Sequence, residues 1–124
     1  MKCLEIIMRL LYDPIGDVLD VIFDESLQNA EIEKAAYRLR DGFILYFAAD
    51  SHKLIQLTVV NYRRLTQLPV VEFTGWQGLK KTDKNQLLPI LASPALMNFL
   101  KLDPRTGFGH LSRPNMLEVF SIAA

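Results

Sequence analysis

The stretch that decides how this fold begins reads Tyr12-Asp13-Pro14-Ile15-Gly16-Asp17-Val18-Leu19-Asp20-Val21-Ile22-Phe23. Its centre predicts a tight turn, because proline presets φ near about −65°, glycine tolerates positive φ, and aspartate accepts a hydrogen bond from the backbone two residues on. Apolar runs over residues 8–12 and 18–23 flank the turn, and a loop of roughly four residues is a common hairpin length. The stretch therefore predicts two antiparallel strands.

Composition indicates one folded domain over residues 1–124. Half of the residues are hydrophobic, which argues against disorder, and 14 basic residues balance 14 acidic ones, so nucleic acid is not an expected partner. The single cysteine, Cys3, excludes an intrachain disulfide framework and suits a reducing compartment. The sequence contains neither a signal-peptide-length apolar run nor a membrane-spanning one, so we expect a cytoplasmic protein with no membrane partner.

Three further strands are predicted after a polar break at residues 24–29. Residues 30–40 suit a helix or a strand, and we favour a strand because the Asp41-Gly42 pair then forms a hairpin turn. Residues 42–49 and 54–62 are rich in branched and aromatic side chains that favour strands. The five strands in up-and-down order predict an antiparallel β-meander over residues 8–62.

The second half of the chain predicts short helices and loops. Residues 63–78 suggest an extended connector closed by a turn. Thr82, Asp83 and Lys84 can cap a helix through residue 91 that Pro89 limits or kinks. Ser93-Pro94 predicts a capped helix over residues 94–102, and residues 108–124 predict a loop and a short apolar segment at 116–122. We therefore expect an α+β domain in which an extension over residues 63–124 packs its short helices on the sheet.

Residues 8–62 resemble a short bacterial family, domain of unknown function 2283. The likeness is carried by Tyr12-Asp13-Pro14-x-x-Asp17-x-Leu19, by Asp41-Gly42-Phe43-Ile44-Leu45-Tyr46 and by Leu54-Ile55-Gln56-Leu57-Thr58-Val59-Val60. It implies a small β-meander module without an assigned activity and, because some members look like neighbours of small toxin genes, a small protein partner such as a toxin. The family-like strand begins at Met8, so we also expect the functional chain to begin near that residue.

Two groups of polar residues could form a metal site or a catalytic site, and each also has a purely structural interpretation. The acidic run around the first hairpin could hold calcium or magnesium, but it lacks EF-hand spacing, and turn chemistry and solvation are the favoured explanation; its members are Asp13, Asp17, Asp20, Asp24 and Glu25. His110 with Asp103 or Arg105 could form a metal-independent hydrolase or nuclease site, or His110 could be a residue of a structured loop over 107–113. We favour the structural interpretations and expect no catalytic, metal or cofactor site and no cofactor.

Apolar residues on both faces of the predicted sheet suggest an interface. The aromatic residues that could form a partner surface are Phe73, Trp76, Tyr46 and Tyr62. For Trp76, burial in the core is the favoured interpretation. The sequence thus predicts a non-enzymatic protein-interaction or assembly module that forms a homodimer through its exposed sheet face, and the hydrolase or nuclease is the alternative.

Overall fold

The computed structural model describes residues 8–112. Its first half contains five strands and one short helix: β1 (Arg9–Asp13), β2 (Val18–Ile22), α1 (Glu25–Asn29), β3 (Lys34–Arg40), β4 (Phe43–Ala48) and β5 (Leu54–Val60). All five strands pair antiparallel in one sheet. The predicted α+β class and the five-stranded antiparallel sheet are confirmed.

The strand order differs from a simple meander. The order across the sheet is β1-β2-β5-β4-β3, so β2 pairs with β5 and the chain crosses through α1 to the far edge. The polar break forms this helix because the Asp24 carboxylate accepts a hydrogen bond of 3.0 Å from the backbone N–H of Leu27. The β2–β5 register sets Leu19 opposite Val59 and Val21 opposite Leu57. Burial of these four apolar side chains therefore favours the pairing of β2 with β5 over the pairing of β2 with β3 that a meander requires.

The second half, as far as residue 112, contains four helices and a second sheet. Its elements are α2 (Tyr62–Thr66), β6 (Val71–Glu72), α3 (Thr74–Gln77), α4 (Lys81–Leu91), α5 (Pro94–Met97), β7 (Leu100–Leu102) and β8 (Phe108–Leu111). The second sheet is antiparallel, with the order β6-β8-β7. The predicted extended connector is thus two helices and a short strand.

Two helix predictions are confirmed in part. The helix predicted through residue 91 is α4, and Pro89 lies inside it. The predicted cap at residues 82–84 is wrong, because α4 begins at Lys81 and its N-cap residue, Lys80, makes no side-chain cap hydrogen bond. Ser93 caps α5 as expected, but α5 ends at Met97 and the predicted helix over 94–102 is wrong beyond that point. Residues 100–102 form β7 instead, because they pair with β8. The helix propensity of residues 98–102 could not show that they pair with a strand further along the chain.

The loop predicted around His110 is also wrong, since Phe108–Leu111 is a strand. Gly109 allows it: a Cβ there would lie 2.6 Å from the carbonyl oxygen of Lys101, so only glycine lets β7 and β8 approach so closely. The apolar segment predicted at residues 116–122 lies outside the described residues. The expected start near Met8 concerns residues 1–7, which also lie outside them.

The core lies between the inner face of the five-stranded sheet and the layer formed by the second half. Phe43 of β4 meets Phe73 nearly edge to face, with ring centroids 5.1 Å apart. Trp76 of α3 is buried, and its indole N–H donates a 3.0 Å hydrogen bond to the carbonyl of Pro104. Aromatic contacts therefore join the two layers.

Helix α3 also lies against the edge strand β3. A Cβ on Gly75 would lie 2.7 Å from the carbonyl carbon of Leu39, so the two backbones touch where a side chain has no room. Contact with α3 covers part of an edge that would otherwise offer unpaired backbone groups to another chain.

We expect Gly75→Ala to destabilise the fold strongly. A methyl group at this position must displace backbone, and such overpacking costs about 1–3 kcal/mol or more, which lowers the melting temperature by several degrees. Thermal unfolding followed by circular dichroism measures the loss. Gly78→Ala is the matched control, because a Cβ there makes only an ordinary 3.6 Å contact with the carbonyl oxygen of Thr74. Equal melting temperatures for the two variants would contradict the predicted close approach.

Candidate interaction surfaces

The motif Tyr12-Asp13-Pro14-x-x-Asp17 closes on itself by hydrogen bonds. The Tyr12 hydroxyl donates to Asp17 Oδ1 at 2.6 Å, and the Asp13 carboxylate accepts from the backbone N–H of Ile15 at 3.0 Å. Asp17 has a left-handed backbone conformation, with φ 56°. Aspartate tolerates that conformation better than most residues, so the motif is a turn held by its own side chains.

Asp17 also binds the start of α2. Its carboxylate accepts from the backbone N–H of Arg63 at 2.9 Å and of Arg64 at 3.5 Å, while its carbonyl accepts from the N–H of Tyr62 at 3.0 Å. Helix α2 has no cap from its own N-cap side chain, so a carboxylate from the first hairpin takes that role. The motif therefore fastens the second half of the chain to the first.

These contacts shift the pKa values of Asp17 and Tyr12. Burial raises the pKa of Asp17, but the hydrogen bonds from Tyr12, Arg63 and Arg64 outweigh burial and lower its pKa below the ordinary 3.8. Burial, followed by the hydrogen bond to Asp17, raises the pKa of Tyr12. The pKa of Asp17 is therefore lowered, despite burial, by the hydrogen bonds through which it caps α2 and binds Tyr12, and the pKa of Tyr12 is raised by burial and by its hydrogen bond to Asp17.

The other carboxylates of the acidic run each bind a different partner. Asp24 caps α1, Glu25 forms a 3.0 Å ion pair with Arg9, and Asp20 accepts from Thr58 Oγ1 at 2.5 Å. Within residues 8–112 the structure has no cluster of three or more histidine, cysteine, aspartate or glutamate side chains placed to hold a metal ion.

The face of the five-stranded sheet opposite the core is called the open face here. Its middle row, one residue from each strand in sheet order, is Leu11, Asp20, Thr58, Ile44 and Arg38. Helix α1 covers one end, where Gln28 Nε2 donates to Gln56 Oε1 at 3.1 Å. The remainder of the face is left open by the described residues.

The open face is mixed rather than apolar. Asp20, Thr58 and Gln56 form a hydrogen-bonded group near its centre, with Gln56 Nε2 donating to both neighbours at 3.1–3.3 Å. Partly exposed apolar side chains surround this group: Leu11, Val18, Ile44, Tyr46 and Val60. The sequence-based expectation of two apolar faces thus applies fully only to the inner face.

Three of the four aromatic residues suggested as a partner surface are buried. Phe73, Trp76 and Tyr62 are at most 4% exposed, so they cannot contact a partner and the prediction needs this correction. Phe73 packs on Phe43, and Tyr62 lies edge-on to Tyr12 at 6.3 Å. The favoured core position of Trp76 is confirmed. Tyr46 alone of the four is partly exposed, on the open face.

A second surface, which sequence reasoning missed, is a groove of about 670 Å³ beside the small sheet. We call it the β7–β8 groove. Four of its lining side chains are large, apolar and exposed: Val70, Leu88, Met97 and Phe108. They come from four separate segments of the chain, so no local sequence pattern could have grouped them.

The β7–β8 groove also contains His110 and Asp103. His110 lies opposite Lys101 in the β7–β8 register. The Asp103 carboxylate accepts from the backbone N–H of Arg105 at 3.0 Å and lies 3.6 Å from the Arg105 guanidinium. The backbone hydrogen bond from Arg105, with the guanidinium charge beside it, lowers the pKa of Asp103. Of the three residues suggested for a hydrolase or nuclease site, His110 and Asp103 therefore line one groove, whereas Arg105 does not line it and pairs with Asp103.

No protein-family model matches this chain, and the chain shows no significant similarity to a curated protein or to a solved structure. The resemblance of residues 8–62 to domain of unknown function 2283 therefore stays a prediction. Within residues 8–112, no helix is long and apolar enough to cross a membrane.

We expect Asp17→Asn to destabilise the protein by about 1–3 kcal/mol at neutral pH, because hydrogen bonds to a charged group contribute about that much. The folded-state pKa of Asp17 is lowered, so its stabilisation is complete above the unfolded-state pKa of about 3.9 and is lost as pH falls through the folded-state pKa. Urea unfolding between pH 7 and pH 2 measures both effects.

Asp41→Asn, at an exposed turn, is the control and should behave like wild type. The Asp17→Asn variant should lose less stability on acidification than wild type does. An unchanged pH dependence would show that Asp17 does not cap α2 in solution.

Proposed function

We propose that this protein is a non-enzymatic, cytoplasmic interaction or assembly module that forms a homodimer through the open face. The observation that carries the proposal is the set of partly exposed apolar side chains on that face, beyond the end that α1 covers. Exposed apolar side chains that share one face mark interaction sites more often than scattered ones do, and here they surround the hydrogen-bonded group of Asp20, Thr58 and Gln56.

A second copy of the chain is the occupant we favour. The charges of the open face differ between its two edges: Asp13 and Asp20 lie towards the β1 edge, where Arg9 is already paired with Glu25, and Arg38 lies on β3 at the opposite edge. Two-fold dimers are the commonest oligomers, and they place a surface against its own copy. A small protein such as a toxin is the other candidate for the same face, on the strength of the family resemblance.

We expect light scattering after size-exclusion chromatography to give a dimer mass at micromolar concentration. Ile44→Lys should shift the mass to that of a monomer, because it places a charge within the buried interface. Ile15→Lys is the matched control, since Ile15 is 96% exposed at the hairpin turn, and it should remain dimeric. A monomeric wild type would overturn the proposed self-association, provided that circular dichroism shows folded protein.

The alternative function is a metal-independent hydrolase or nuclease that uses His110 with Asp103 or Arg105. The shared position of His110 and Asp103 in the β7–β8 groove favours this second candidate. For the non-enzymatic module, we expect His110→Ala to change stability by no more than about 0.5 kcal/mol and to leave dimerisation unchanged.

Screening wild type against phosphodiester and ester substrates checks the alternative. Turnover that His110→Ala abolishes, with melting temperature preserved, would establish the enzyme and contradict the non-enzymatic proposal. Turnover that survives the substitution would contradict a catalytic role for His110.

A further inference from the structure

The β7–β8 groove has the build of a ligand site. It is lined by residues of β7, of β8 and of the loop between them, by the end of α4, by α5 and by the residues that precede β6. A volume of about 670 Å³ falls within the range of small-molecule sites, roughly 300–1,000 Å³, which are mostly apolar with a few placed polar groups.

The apolar part of the groove is accessible to a ligand. Val70 is 57% exposed, and Leu88, Met97 and Phe108 are each about 40% exposed, although these side chains are of types usually buried. Leu91 and Leu102 add half-buried side chains to the apolar lining. Covering these groups with an alkyl chain or an apolar ring removes their surface from water, which is favourable by about 25 cal/mol per Å².

The polar part of the groove carries a cation. Lys101 and His110 are directly opposite each other on neighbouring strands, so their Cβ atoms lie about 4.5–5.5 Å apart and both side chains line the groove. An ammonium and an imidazole N–H in this arrangement can both donate to one carboxylate. Two acidic side chains are nearby. Asp103 is already paired with Arg105 and accepts a hydrogen bond from its own turn, and Glu72 lies opposite Phe108 in the β6–β8 register but does not line the groove.

We infer that the β7–β8 groove binds an amphipathic carboxylate, with its apolar chain over Phe108, Met97 and Val70 and its carboxylate on Lys101 and His110. The charged head and the apolar tail are both needed, because an exposed lysine alone attracts anions only weakly in water. This inference is independent of the proposed dimer, which uses the opposite layer of the molecule.

Isothermal titration calorimetry on the full chain tests the inference with three probes of matched alkyl chain length, the two ionic ones below their critical micelle concentrations and the alcohol within its aqueous solubility. The probes are dodecanoate, dodecanol and dodecyltrimethylammonium. We expect dodecanoate to bind at least tenfold more tightly than the cationic probe, with dodecanol between them. Amide chemical-shift changes in a titration followed by NMR should centre on Leu102, Gly109 and His110.

Three variants decide the roles of the lining residues. Lys101→Met keeps the aliphatic stem and should lower dodecanoate affinity at least tenfold without affecting dodecanol, while Lys101→Glu should make the cationic probe the preferred one. Met97→Glu should weaken dodecanoate and dodecanol. Lys81→Met, at the exposed start of α4, is the matched control and should bind like wild type.

Absence of binding by all three probes would overturn the inference. So would equal affinity for the three probes, or a dodecanoate affinity that Lys101→Met leaves unchanged, because either result means nonspecific apolar adsorption. Circular dichroism of each variant confirms that a loss of binding is not a loss of folding, and the dimer mass is measured separately.

Discussion

The carboxylate of Asp17 is the contact on which the arrangement of the two halves depends. It accepts hydrogen bonds from Tyr12 within its own hairpin and from the backbone of Arg63 and Arg64, 46 and 47 residues further along the chain. Helix α2 begins the layer that covers the inner face, so this one group sets where that layer starts. Arg63 also lies over the Tyr12 ring, with its guanidinium carbon 5.6 Å from the ring centroid, which adds a cation–π contact to the same junction.

Once α2 is placed, the rest of the second half can pack on the apolar inner face. Gly75 lets α3 approach the edge strand β3, and Gly109 lets β8 approach β7. Both positions are close approaches between backbones, where a side chain would separate the elements. The second layer is therefore built around two glycines and a set of buried aromatic rings, and it encloses the core without a long helix.

The same construction leaves two surfaces with opposite characters. The open face belongs to regular strands and has a hydrogen-bonded centre of Asp20, Thr58 and Gln56. The β7–β8 groove lies between short, irregular elements and exposes large apolar side chains next to Lys101 and His110. A sheet face offers a broad area suited to another protein, whereas a groove of this volume suits a small molecule. The two proposals for this protein follow from that difference.

The amino-acid sequence by itself determined the local features: the turn at Pro14–Gly16, the strand character of the first half, and the cap that Ser93 provides for α5. Each depends on residues near one another in the chain, where propensity and turn chemistry act directly. Only the tertiary structure decided that β2 pairs with β5, that residues 100–102 and 108–111 are strands, and that Phe73 and Tyr62 are buried. Those outcomes depend on contacts between distant segments, as do the capping of α2 by Asp17 and the assembly of the groove from four segments. Local sequence patterns carry no information about which distant residues will meet, because that is decided by which pairing buries the most apolar surface and satisfies the most backbone groups.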